Sequence, residues 1–224
     1  MKKWILAVLL TSALNFAYAK PYPQHDLSKI ITPNRVDFAQ AEQVYQDLSR
    51  HAARYPTQFD NANDKVLAVK EAKELARIFN ALFETKIITP KHEAYLQLLH
   101  RAARVNWIAH NLDVPQAATW TERHYQTLMM QLSGKEKAIL LSEYGSFLAS
   151  SGQTQKAVIM YQNAIKQGYP AAKRELSMAL LSQNKREQAV QTMHEYVQAH
   201  PKDTAAKELL VAMKTGRVQI KSTQ

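Results

Sequence analysis

The chain has 224 residues, 46% of them hydrophobic, which is enough for a substantial core in one or two domains. It contains no cysteine, which excludes disulfides, thiolate metal sites and a cysteine nucleophile. The formal net charge of +10 favours anionic partners. Glycine and proline are too few for a sheet protein with many turns, whereas good helix formers are abundant.

The start of the chain has the three parts of a signal peptide. Two lysines precede an apolar run over residues 4–16, and Ala17-Tyr18-Ala19 offers small residues where signal peptidase cuts. An uncleaved anchor is the alternative, but the run is shorter than the ~20 residues that span a bilayer. We therefore expect residues 1–19 to be a signal peptide cleaved after Ala19. The protein would then be periplasmic or secreted, with no transmembrane segment after cleavage and with nucleic acid disfavoured as a partner.

The next part of the chain is expected to be a flexible N-terminus, residues 20–36, followed by an N-terminal helical section, residues 37–134. Prolines punctuate the first segment. In the second, apolar side chains recur with the 3.6-residue period of amphipathic helices. Asp37 is the expected N-cap of the first helix, and Pro115 is expected in the first turn of the fourth. The four helices are predicted at about 37–55, 64–85, 91–112 and 115–132.

From residue 135 the predicted helices become shorter and more evenly spaced. They are expected at about 136–150, 154–167, 171–183, 186–199 and 203–214, with a frayed tail over 216–224. No segment alternates apolar and polar residues for long, so we predict essentially no sheet. The fold class is therefore all-α, with short turns that join neighbouring helices into antiparallel hairpins.

Two stretches of this second part share a pattern of large and small residues. In residues 138–171 the pattern is Leu141, Tyr144, Gly145, Leu148, Ala157, Tyr161, Ala164 and Pro170. In residues 170–203 it is Leu176, Ser177, Leu180, Ala189, Met193, Tyr196 and Pro201.

This pattern resembles the tetratricopeptide repeat, a 34-residue helix–turn–helix unit. The resemblance implies that Gly145 allows close approach of the second helix, that Ala157 packs back on the first, and that Tyr161 fills the space between them. The second copy is less regular, because Ala189 follows Ala157 by fewer residues than the repeat length and Lys173 stands where a large apolar residue is usual. The resemblance implies a short solenoid over residues 135–215 that ends in a capping helix.

The resemblance also implies a binding surface. In this family the first helix of each hairpin lines a concave groove that accepts a peptide or a helix, so the protein would be an interaction adaptor or assembly factor with a polypeptide partner in the cell envelope. Alternatively, these positions face a helix of the N-terminal section. By motif position the groove residues are Ser142, Ser146, Arg174, Met178 and Leu181.

Two basic clusters support a different function. Arg50 and Arg54 form one, and Arg101 and Arg104, followed by Trp107, form the other. Arginines beside an exposed aromatic ring can hold an anionic ligand. The alternative to the adaptor is therefore a binding module for an anionic envelope polymer or lipid headgroups, although Trp107 also suits a core position.

The sequence offers no pattern that points to catalysis, a metal or a cofactor. No two histidines have the i, i+3 or i, i+4 spacing of a helical metal site, so they are expected at the surface or at helix caps. Glu71 and Glu74 lie among basic residues and are expected to form ordinary surface ion pairs. There is no nucleophile motif and no strand to carry one. We therefore predict a protein that is not an enzyme, with no catalytic residue, no metal and no cofactor.

Overall fold

The computed structural model of the protein describes residues 21–32 and 35–218, with the backbone alone at residue 35. The expected signal peptide with its cleavage site, and residues 219–224 of the tail, lie outside the described residues. Within the described part, a 3-10 turn at Leu27–Lys29 and a two-stranded antiparallel hairpin, β1 (Ile31–Thr32) and β2 (Arg35–Val36), precede nine α-helices. These are α1 Phe38–Ala52, α2 Ala62–Glu84, α3 Tyr95–Asn111, α4 Ala117–Gln131, α5 Gly134–Ser150, α6 Thr154–Lys166, α7 Lys173–Ser182, α8 Arg186–Ala199 and α9 Thr204–Lys214.

The all-α class is confirmed, and each predicted helix is present, although α3 begins at Tyr95 rather than at about residue 91. Asp37 caps α1 as expected, because its carboxylate accepts a hydrogen bond of 3.1 Å from the backbone N–H of Gln40. Pro115 lies before α4 rather than in its first turn, since the backbone reverses through Gln116 at φ +64° before the helix starts. Of the described helices, none has the length and apolar character needed to cross a bilayer.

The expectation of a flexible N-terminus is wrong for the described part of residues 20–36. Tyr22 and Ile30 are buried in the core formed by α1 and α2. The Tyr22 hydroxyl donates a hydrogen bond of 2.7 Å to the Glu71 carboxylate on α2. Burial of two large side chains and a specific hydrogen bond fix this segment on the helices.

The helices form one continuous array of hairpins. One core cluster joins the N-terminal segment with α1 to α4, and a second extends from α3 and α4 to α9. Phe83 on α2 and Tyr95 on α3 pack against both clusters. The α3/α4 hairpin therefore connects the N-terminal section to the repeats, so the two halves of the array share a packed boundary.

A buried polar seam crosses the N-terminal section. The side-chain amides of Asn80 on α2 and Asn106 on α3 hydrogen-bond reciprocally, at 2.8 and 3.2 Å. Asn106 also donates to the Ala102 carbonyl, and His124 Nε2 on α4 lies 2.8 Å from Asn80 Oδ1. Burial, the largest influence, and the nearby Arg123 charge lower the pKa of His124 to about 4, so this imidazole is neutral at neutral pH. The seam links three helices through one set of satisfied polar groups.

The first repeat packs as the resemblance implies. A Cβ placed on Gly145 of α5 would lie only 2.8 Å from Cε1 of Tyr161 on α6. Ala157 is fully buried, and the Tyr161 hydroxyl donates a hydrogen bond of 3.2 Å to Ser146 Oγ. The expected roles of Gly145, Ala157 and Tyr161 are therefore confirmed.

The end of the array is closed by α9 and the residues that follow it. The guanidinium of Arg186 donates to the carbonyls of Met213, at 2.7 Å, and Val218, at 3.4 Å. Val218 packs against the second core cluster. The first residues of the expected tail are thus attached to α8, which extends the cap beyond α9.

Candidate functional site

A groove of about 320 Å³ lies between α5, the turn before α7, α7 and α8. Three of the five predicted groove residues, Ser142, Ser146 and Arg174, line it. Ser146 Oγ donates to the Ser142 carbonyl while it accepts from Tyr161, so its position is fixed by the repeat packing. Nε of Arg174 is buried and makes no hydrogen bond within the described residues. The full lining is Ile139, Ser142, Glu143, Ser146, Tyr169, Ala171, Arg174, Glu175 and Tyr196.

The other two predicted groove residues lie elsewhere. Leu181 is only 5% exposed and belongs to the second core cluster, so its assignment to the groove is wrong. Because α7 has only ten residues and lies between two longer helices, the adjacent Leu180 and Leu181 are both covered near its end. Met178 is half-buried and does not line the groove.

A second pocket, of about 460 Å³, continues this groove toward the N-terminal section. Ile139 and Glu143 of α5 line both, so the two adjoin and together extend along the first helices of three successive hairpins: α3, α5 and α7. We refer to the two together as the groove. The residues of the second pocket are Glu93, Leu96, Gln97, His100, Leu128, Leu132, Glu136, Ile139, Leu140 and Glu143. We call it the α3–α5 pocket.

Sequence reasoning missed the α3–α5 pocket because α3 lies outside the repeat pattern. One signal was available. Glu93, Leu96, Gln97 and His100 have the i, i+3, i+4, i+7 spacing of one helix face, and α5 repeats it with Glu136, Ile139, Leu140 and Glu143. Matching stripes on successive first helices indicate a shared concave face.

Glu143 lies at the junction of the two parts of the groove and is the centre of a polar cluster. Its carboxylate accepts hydrogen bonds from the Tyr125 hydroxyl at 2.7 Å and from Arg104 Nη1 at 3.2 Å, and it lies 2.8 Å from His100 Nε2. Burial alone would raise the pKa of Glu143, but the hydrogen bonds and charges of His100, Tyr125 and Arg104 outweigh it and hold the pKa at about 2. The groove floor therefore contains a fixed, internally balanced negative charge.

The Arg101 and Arg104 cluster is paired with carboxylates of the protein itself. Arg101 lies 3.0 Å from Glu42 and stacks 3.7 Å above the Tyr45 ring, while Arg104 pairs with Glu143. Trp107, the predicted ligand-binding aromatic, is half-buried and packs edge-to-face on Phe147 of the second core cluster, with ring centroids 5.8 Å apart. Arg104 lies over its ring, 5.4 Å from the centroid. These contacts connect α1 and α5 to α3.

The second basic cluster lies on a different side of α1. Helix geometry turns Arg50 about 140° away from Tyr45, on which Arg101 stacks, and Arg54 lies beyond the end of α1 at Ala52. Arg50 pairs with Asp47, whereas Arg54 is exposed. The structure therefore does not combine the predicted arginines into a single anion site.

A further polar cluster, outside the groove, holds the N-terminal segment. His25 bridges two helices, with Nδ1 2.6 Å from Glu71 Oε2 on α2 and Nε2 3.0 Å from Asp47 Oδ2 on α1. Glu71 is only 2% exposed, so the expectation of an ordinary surface ion pair is wrong for Glu71, although Glu74 does pair with Arg77 at the surface. The partner of Glu71 is His25, which lies far from it in the sequence, so the spacing of residues along α2 does not reveal this contact.

The expectation that histidines lie at the surface or at caps is wrong for several of them. His51 and His124 are buried, and His51 stacks on Phe59 with ring centroids 5.1 Å apart. Across residues 21–32 and 35–218, no group of three or more acidic or histidine side chains is arranged to hold a metal ion. The contacts of His51 and His124 are those of packed core groups.

The array of antiparallel hairpins with a groove on its first helices is the architecture of a helical-repeat interaction module. Comparison with protein families agrees: residues 148–213 match the tetratricopeptide repeat family. The protein is therefore tetratricopeptide-repeat-like, and the match covers α6 to α9 together with the end of α5. Neither the curated proteins nor the solved structures that were compared contain a match to the chain.

Proposed function

We propose that this protein is an exported adaptor or assembly factor that binds a segment of a partner polypeptide along the groove of α3, α5 and α7. One observation carries the proposal: the α3–α5 pocket and the predicted repeat groove share Ile139 and Glu143, so they form a single surface. Repeat proteins use such concave surfaces to bind extended or helical segments.

The envelope location in this proposal rests on the sequence of residues 1–19. Its charged start, short apolar run and Ala-x-Ala site are typical of a signal peptide. With export, the partner is an envelope protein or peptide. Binding of this kind requires no catalytic residue and no cofactor, so the proposed protein is not an enzyme.

The alternative, binding of an anionic envelope polymer or lipid headgroups, has less support. Glu42 and Glu143 already pair with Arg101 and Arg104, so an anionic ligand must displace buried or half-buried carboxylates. Trp107 is occupied by core contacts. We therefore assign function to the groove.

Site-specific photo-crosslinking in the native envelope tests the proposal. A crosslinking residue replaces Ser146 inside the groove, and a matched control replaces Ile159, which is exposed on α6 and lines neither part of the groove. We expect a discrete protein adduct from position 146 only, and its loss in an Arg174→Glu background. Equal yields of the protein adduct from positions 146 and 159 would refute groove binding. So would crosslinking of position 146 to glycan or lipid alone.

A further inference from the structure

We infer that the α3–α5 pocket selects a basic amphipathic segment of the partner: an apolar side chain enters the pocket, and Lys or Arg next to it faces Glu93 and Glu136. The inference rests on the proposed function, because it names the chemistry of the polypeptide that the groove accepts. It concerns residues outside the matched repeat region.

The centre of the pocket is apolar. Leu128 and Leu140 are buried in the core, and they form its floor. Leu96 on α3 and Ile139 on α5 are 38% and 41% exposed. Each lies three residues after the glutamate that begins its stripe, Glu93 or Glu136. Burial of an apolar side chain between them removes exposed apolar surface on both partners, which is the main driving force for such docking.

The rim of the pocket is acidic in a chain that is otherwise basic. Its lining includes three glutamates and no lysine or arginine, although the whole chain carries a formal charge of +10. The charge of Glu143 is balanced by Arg104 and His100. Glu93 and Glu136 are exposed and, among the contacts of the described residues, pair with no cation, so both carboxylates remain open to a cationic side chain of the ligand, although Lys135 and Lys137 flank Glu136 in the sequence.

The two exposed glutamates occupy equivalent places. Glu93 lies just before α3 and Glu136 in the first turn of α5, each three residues before the exposed apolar side chain of its stripe. Both carboxylates line the pocket that contains Leu96 and Ile139, so an apolar side chain that enters it brings its neighbouring residue to the same acidic rim. This charge pattern complements Lys or Arg and repels an acidic segment or an anionic lipid headgroup.

Fluorescence anisotropy with a labelled peptide of leucine and lysine, arranged with amphipathic helical spacing, tests this inference on the chain from residue 20 onward. A matched peptide with glutamate in place of lysine is the negative probe. We expect the leucine–lysine peptide to bind the unchanged protein, and the Glu93→Lys, Glu136→Lys variant to bind it at least about tenfold more weakly. A control with the same charge change, Glu187→Lys and Glu208→Lys on exposed positions outside the groove, should retain the affinity.

The apolar part of the recognition has its own control. Leu96→Gln removes the exposed apolar side chain without a change of charge, so binding through the pocket should weaken about threefold or more. Equal affinity of Leu96→Gln and the unchanged protein would show general charge attraction and overturn the inference. So would equal affinity of the Glu93→Lys, Glu136→Lys variant and its charge-matched control.

The same variant separates this inference from the proposed function. If the native partner crosslinks through position 146 equally well in the Glu93→Lys, Glu136→Lys background, groove binding stands and the basic-segment inference fails. If the leucine–lysine peptide binds as expected but position 146 captures no protein from the envelope, the pocket chemistry stands and the adaptor function fails.

Discussion

The contact between Gly145 and Tyr161 gives a sharp test of the repeat packing. In an open helix interior, Gly→Ala stabilises by about 1 kcal/mol. Here the new methyl would lie 2.8 Å from Cε1 and 2.9 Å from Cδ1 of Tyr161, well inside the ~3.5–4.0 Å of an ordinary carbon contact. The ring is buried and its hydroxyl is held by Ser146, so it cannot move freely. Overpacking of this kind costs about 1–3 kcal/mol, and we expect Gly145→Ala to destabilise the protein by about 1 kcal/mol.

Urea unfolding followed by far-UV circular dichroism measures this effect, and a second background fixes its origin. In a Tyr161→Val protein the clashing ring atoms are absent, so Gly145→Ala should there stabilise by up to about 1 kcal/mol. The reversal of sign is the expected outcome. A Gly145→Ala variant that is more stable than the unchanged protein would refute the close approach.

Two further predictions concern stability. The pKa of Glu143 is lowered from 4.5 to about 2, so its ionised form contributes about 3 kcal/mol to the free energy of unfolding above pH 4.5, and this contribution is lost as the pH falls toward 2. The pKa of His124 is lowered from 6.5 to about 4, so the folded state also loses stability as the pH falls from 6.5 to 4. The urea concentration at the unfolding midpoint should therefore be lower at pH 3 than at pH 7, and the decrease should be smaller in the His124→Asn variant. A midpoint that does not change with pH would contradict both pKa shifts. His25→Ala should cost about 2 kcal/mol or more, because it leaves the buried carboxylates of Asp47 and Glu71 without their shared partner. Limited proteolysis should then cut near residue 25, whereas unchanged protection would contradict the bridge.

The helices could be predicted because their signals are local. Apolar period and capping residues act within one or two turns, so Asp37 and the shorter helices after residue 135 were placed from sequence alone. The start of α4 was less accurate because proline fits both the first turn of a helix and the turn before it. The left-handed conformation of Gln116 decides between them and leaves no mark in the sequence.

The groove could be predicted only where the repeat pattern gave positions. Ser142, Ser146 and Arg174 lie in it, but Leu181 does not, because the pattern fixes the face of a helix and not how far neighbouring helices cover its end. The contribution of α3 depends on contacts between hairpins far apart in sequence. The same limit applies to His25, whose partners Asp47 and Glu71 are brought to it only by the fold.

The reciprocal amide pair of Asn80 and Asn106 determines how α2 and α3 can align. Leucine and alanine contacts tolerate displacement along a helix, since one apolar neighbour substitutes for another. A slip of one turn, about 5.4 Å, would instead separate both amides and take Asn80 out of reach of His124 Nε2. Each buried polar group left without a hydrogen-bond partner costs about 1–3 kcal/mol, so a shifted alignment of α2 and α3 is less stable even where the apolar side chains still fit. The α2/α3 pair, which lacks a repeat motif, thus has a single alignment along the helix axes. The pocket-lining residues of α3 are therefore held at one position relative to α5.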